Sequence, residues 1–148
     1  MYELIKALHN ILRWVVVLGG LYAIITSLQG LMTKGKWTDS NKWGGLIFTN
    51  ALNLQFVLGL ILLFISPYMR GLFGAMSEAM KVRDSRFFLA EHWLTMILAL
   101  VAAQLGYSLA KRAKDDRSKF MRSSIGYILA ALLIAYGIPW WRPLFPGL

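Results

Sequence analysis

Four runs of this chain, at 4–32, 44–66, 87–110 and 122–140, reach the roughly 18 to 25 residues that an apolar helix needs to cross about 30 Å of hydrocarbon. They leave no room for a soluble domain. Only 16% of the 148 residues are charged, where about a quarter is usual for soluble domains, and mean hydropathy is +0.55. The expected fold is therefore all-α: a single integral-membrane domain over 1–148, built as a four-transmembrane-helix bundle. The first run lacks a small-residue cleavage site and is expected to stay in the mature chain.

The net charge of +9 is distributed as an orientation signal and not as a nucleic-acid patch, because lysine and arginine gather just beyond the apolar runs. Nine cations lie in the loops after the first and third runs: Lys34, Lys36, Lys42, Lys111, Arg112, Lys114, Arg117, Lys119 and Arg122. Six lie on the other side: Lys6, Arg70, Lys81, Arg83, Arg86 and Arg142. The positive-inside rule then sends both termini outward, periplasmic for a multi-pass protein of a bacterial inner membrane. There is no cysteine, which excludes disulfides, thiolate metal sites, iron–sulfur clusters and thioether-linked haem.

Between the second and third runs, Pro67 ends a helix. Leu72, Phe73, Met76, Met80 and Arg83 then recur at helical spacing, which predicts a short interfacial helix lying on the membrane as a lid. Asp84 or Ser85 is the expected cap of the third helix. Three of the four prolines fall in the tail 139–148, so that segment cannot be a regular helix and reads as an aromatic plug. In the second run Asn50 and Asn53 share a face, and intramembrane amides of this kind bond across helices. The alternative is that Asn50, Asn53 and Gln55 line a quinone pocket.

The chain has two histidines, each near the start of a run. His9 lies eight residues past Met1, and His92 eight past Asp84, so each sits roughly 10 Å below the same end of its helix at about 1.5 Å per residue. The first and third helices run in the same direction, since one crossing separates them. Small residues lie on the same stripes: Gly20, Ala23 and Ser27 below His9, and Ala99, Ala103 and Gly106 below His92. Such residues allow close helix packing or room for a flat ligand. Two parallel helices, each offering one imidazole, suit bis-histidine ligation of one b-type haem.

Arg13, one turn from His9, needs an anion within hydrocarbon. Haem propionates or Glu91 would serve, and Arg83 and Arg86 at the rim are further propionate partners. Copper or zinc is disfavoured, because Glu91 and His92 face different ways on a helix and no third ligand joins the histidines.

The motifs Leu8-His9-Asn10-x-Leu12-Arg13-Trp14, Arg86-Phe87-Phe88-x-x-Glu91-His92 and Gly137-Ile138-Pro139-Trp140 resemble those of small bacterial four-helix membrane proteins of the cytochrome-b-like type. The resemblance covers nearly the whole chain and implies four transmembrane helices and b-haem. Di-haem four-helix b-type cytochromes need about four ligand histidines, so at most one haem fits here.

The expected function is one-electron transfer, linked to quinol or to a partner redox protein. No catalytic residue is assigned, and the chain is expected to be an electron-transfer protein before a stand-alone enzyme. Two other readings remain open. One is a haem-free accessory subunit of a larger membrane complex or homo-oligomer; the other is a small-molecule or ion carrier using Arg13, Glu91 and His92.

Overall fold

The computed structural model describes residues 1–145; the end of the expected plug, 146–148, lies outside the described residues. Four helical segments are long and apolar enough to span a membrane: Tyr2–Thr33, Asp39–Ile65, Arg83–Arg112 and Asp116–Gly137. No strand occurs among the described residues. Apolar side chains such as Leu18, Phe64, Ile125 and Leu132 stand exposed along their outer faces. A continuous apolar exterior of this extent is a liability in water, but it matches hydrocarbon.

Helix α1, Tyr2–Thr33, stops where Lys34 turns left-handed at φ 53°, with the Gly35 N–H bonded to the Gly30 carbonyl. Helix α2, Asp39–Ile65, begins several residues before its apolar run. Thr38 and Asn41 form a reciprocal capping box, in which the Thr38 N–H donates to Asn41 Oδ1 at 3.1 Å. Ser66 ends α2 and caps the next helix, accepting from the Met69 N–H ahead of Pro67 at the first helical position.

The connector holds two short helices where one was expected, α3 at Pro67–Gly74 and α4 at Met76–Ala79. Met69, Ala79 and Leu89 form a small buried cluster beneath it. Phe73, Met76 and Met80, from the expected apolar stripe, remain exposed.

The third span is composite: α5 at Arg83–Arg86, a π-helical turn at Phe87–Glu91, then α6 at His92–Arg112. Its cap is Val82, in extended conformation, so neither Asp84 nor Ser85 has that role. Asp84 falls instead in the first turn, where the positive end of the helix dipole favours a carboxylate. Helix α7, Asp116–Gly137, also starts earlier than its apolar run, because Asp115 accepts the Ser118 N–H at 2.8 Å and nucleates the turn.

Helix α1 packs on α2 and α7, and α6 packs on the same two, so α1 and α6 face one another diagonally across the bundle. Of the stripe that helical spacing predicts in α1 (His9, Leu12, Arg13, Val16, Gly20, Ala23 and Ser27), the last five are buried and His9 and Leu12 are half-buried. Its small residues serve helix packing. Phe48 fills the space over Gly20, and Ser27 accepts from the Ser123 hydroxyl of α7 at 3.0 Å. Closest approach is between α6 and α7, where a Cβ on Gly106 would lie 2.8 Å from Gly126 Cα.

Candidate functional site

His9 and His92 meet across the diagonal. Their ring centroids are 6.4 Å apart, with the planes inclined at 71°. The equal depth expected from residue counting therefore becomes direct proximity inside the bundle, at the end bearing the N-terminus and the α3–α4 connector.

The π-turn sets the direction of His92. The His92 N–H reaches back five residues to the Phe87 carbonyl, a wider turn than the α-helical one. Two side chains satisfy carbonyls in the loosened stretch: Trp93 Nε1 donates to Leu89 O and the Thr95 hydroxyl donates to Glu91 O, both at 2.6 Å. Each widened turn changes the rotation of everything that precedes it relative to the helix below. This is how Phe87 and Leu89 come to be buried while His92 still faces the core.

The two imidazoles are held differently. His92 Nδ1 lies 2.7 Å from the Gly137 carbonyl, one of the last carbonyls of α7 and so without an intrahelical donor. A carbonyl only accepts, so Nδ1 carries the proton of the neutral ring and Nε2 keeps its lone pair. Phe87 and Phe88 stand at 5.7 and 5.9 Å from the His92 ring. His9 is positioned through its backbone, since Gln55 Nε2 donates to the His9 carbonyl at 2.9 Å. Its Nδ1 is buried with no hydrogen-bond partner. Gly59 of α2 makes room for this ring, because a Cβ there would come 3.2 Å from His9 Cε1.

The charged residues distribute otherwise than expected. Arg13 is buried, but its partner is not Glu91: its guanidinium donates to the Leu144 carbonyl in the tail. Trp14 Nε1 donates to the same carbonyl at 3.3 Å and its ring stacks on Phe145 at 5.1 Å. Glu91 faces outward, accepting from Arg86 Nε at 3.1 Å and from the Tyr136 hydroxyl at 3.3 Å. The geometry thus does not gather Arg13, Glu91 and His92 into one carrier site. Arg83 is exposed in the first turn of α5.

Two residues outside the expected set close the end of the bundle. Arg142 lies over Phe88 at 4.4 Å and Tyr68 at 4.8 Å, and Trp141 packs edge-on against Phe87 at 4.8 Å. The tail is a plug joined by contacts to α1, α3 and the third span. Cation–π contacts of this sort leave no trace in residue spacing; the only signal was the aromatic and proline content of the tail.

Of the amides, Asn53 accepts from Gln104 Nε2 at 3.1 Å, linking α2 to α6, and Gln55 binds α1. Asn50 is exposed, so the three do not line one pocket. Comparison with family models, with curated proteins and with solved structures finds no match.

Proposed function

We propose that this chain is a membrane b-type cytochrome that holds one haem between His9 and His92 and passes single electrons. The observation carrying the reading is the spacing of the two rings. At 6.4 Å between centroids, the two imidazoles are near enough for both to hold one metal ion by bonds of about 2 Å. Among the described residues, no group of three His, Cys, Asp or Glu side chains could hold a metal ion by itself. A haem would need only two side chains from the protein, and His9 and His92 would be the residues to hold it.

The chain's own residues account for the rest. The Gly137 carbonyl fixes the His92 tautomer that leaves Nε2 free to ligate, and it raises the basicity of that nitrogen. Gly59 and Gly137 are the positions at which a side chain would intrude beside the two histidines or the adjacent Met96. Phe87 and Phe88 pack against the His92 ring, and Trp141 and Arg142 of the tail pack over them. The haem would supply the one-electron redox change, and being held by both His9 and His92 would suit it to electron transfer over oxygen activation. Arg13, buried and donating to the Leu144 carbonyl, would pair with a propionate through its remaining N–H groups, and Arg83 at the rim is a second cation, while Arg86 is held by Glu91.

The same reading puts the histidine end at the outer face of a bacterial inner membrane, where the acceptor or donor is a partner redox protein or quinol. The excess of cations at the opposite end supports that orientation.

A reduced-minus-oxidised spectrum of protein purified after expression with ample haem tests the proposal. It should show the sharp alpha band of a low-spin b-type centre, lost in both His9→Ala and His92→Ala while the proteins remain inserted. Absence of that band in the wild type, or its survival in either variant, would overturn the assignment.

A further inference from the structure

A cleft of about 370 Å³ lies at the other end of the bundle, between the turn that ends α1 and the first turn of α7. Lys34, Lys36 and Arg117 line it, with Asp116 as its one acid. The ion pairs among the described residues are Glu3–Lys6, Glu78–Lys81 and Arg86–Glu91, so none of these three cations is held in a close ion pair.

The cleft is built by rigid parts. Lys34 is the one non-glycine residue with positive φ among the described residues, and its left-handed turn is closed by the Gly35-to-Gly30 backbone bond. Trp37 packs on Phe120 at 5.0 Å, and Phe120 in turn occupies the space over Gly30, so the turn is tied to α7. Asp115 meanwhile caps α7 and fixes where Arg117 emerges. Three cations are thus gathered about a volume in the range of small-ligand pockets.

We infer that this cleft binds the phosphate of an anionic phospholipid headgroup. The cations select an anion, and Asp116 leaves them in excess. The surroundings select the lipid form of that anion. Leu31 also lines the cleft, and Met32 beside it is 80% exposed at the end of an apolar span, so a phosphate bearing acyl chains satisfies both parts of the site. Basic pockets between transmembrane helices have this chemistry. The inference does not depend on the haem reading, only on the spans crossing a bilayer.

Native mass spectrometry of the full chain in detergent, titrated with phosphatidylglycerol, phosphatidylcholine or inorganic phosphate, tests it. Phosphatidylglycerol should be retained in preference to phosphatidylcholine, and inorganic phosphate should compete weakly. Each cation near a membrane surface contributes about fivefold, so Lys34→Ala with Lys36→Ala and Arg117→Ala should weaken phosphatidylglycerol binding about a hundredfold. The control triple Lys42→Ala, Arg112→Ala and Lys114→Ala removes equal charge at the same end but outside the cleft, and should retain most of the binding. Equal loss in both triples, unchanged binding in the first, or equal affinity for phosphatidylcholine would each overturn the site. Inorganic phosphate binding as tightly as the lipid would overturn the lipid assignment.

Discussion

Replacing Gly126 by alanine adds one methyl group at the tightest point of the bundle. The new Cβ would lie 2.8 Å from both the Ala102 carbonyl oxygen and the Gly106 nitrogen, and nearer still to Gly106 Cα. Favourable carbon contacts begin near 3.5 Å, so relieving the contact with Gly106 Cα requires α6 and α7 to separate by about 1 Å. None of the obstructing atoms can rotate away, since all belong to backbone. The separation loosens the buried alanines Ala99, Ala102, Ala103 and Ala130 that fill this seam. Overpacking typically costs about 1–3 kcal/mol, and a purely backbone obstacle puts this case at the upper end, about 3 kcal/mol.

Gly71→Ala is the matched control, because a Cβ there meets nothing within 4 Å. The same chemical change should leave stability unchanged or raise it by about 0.5–1 kcal/mol through helix propensity. Unfolding in mixed micelles by increasing fractions of sodium dodecyl sulfate, followed by tryptophan fluorescence, gives both values. If Gly126→Ala is as stable as wild type within about 0.5 kcal/mol, the glycine–glycine seam does not hold α6 to α7 and the reasoning fails.

Arg13→Met removes a charged donor from the Leu144 carbonyl while keeping bulk, a loss of about 1.5–3 kcal/mol for the docked tail. Chymotryptic cleavage beside Trp141 should accelerate about tenfold or more, and an unchanged rate would show that the tail is held by other contacts. Glu91→Gln should cost under about 1 kcal/mol in the same micelle assay, because its partner Arg86 is 44% exposed and water screens the pair; a loss several times larger would place Glu91 in a buried network. Asp115, in the loop before α7, is held below its ordinary value of 3.8 by the Ser118 N–H. Its contribution to the α7 cap is therefore present above that value and lost as pH falls through the lowered one. The protection factor of the Ser118 amide, its exchange rate relative to an unstructured amide at the same pH, should be high at pH 5 and fall as pH drops below the ordinary 3.8; Asp115→Ala should lower it at both, and an Asp115→Ala protein with wild-type protection would refute the cap.

Much of this molecule is set by local chemistry. The four spans follow from apolar runs matched to bilayer thickness, and the buried stripe Arg13, Val16, Gly20, Ala23 and Ser27 follows from a 3.6-residue period. The equal depth of His9 and His92 also follows from counting residues down two parallel helices. Helix starts were less legible. Capping by Thr38 and Asp115 extends α2 and α7 beyond their apolar runs, and hydropathy does not register a cap.

What the tertiary structure alone decided are the partners. The Gly137 carbonyl that orients His92 is 45 residues away in sequence, and the Leu144 carbonyl that takes Arg13 is 131 away. Both acceptors are backbone atoms, which every residue carries, so side-chain pattern cannot single them out. The π-turn at Phe87–Glu91 is similar: its cause is the joint demand of burying Phe87 and Leu89 while turning His92 inward. That demand exists only once α7 and the tail are in place. Glu91 was free to pair with Arg13 on sequence grounds, but the rotation at this turn faces it outward to Arg86, leaving Arg13 for the tail.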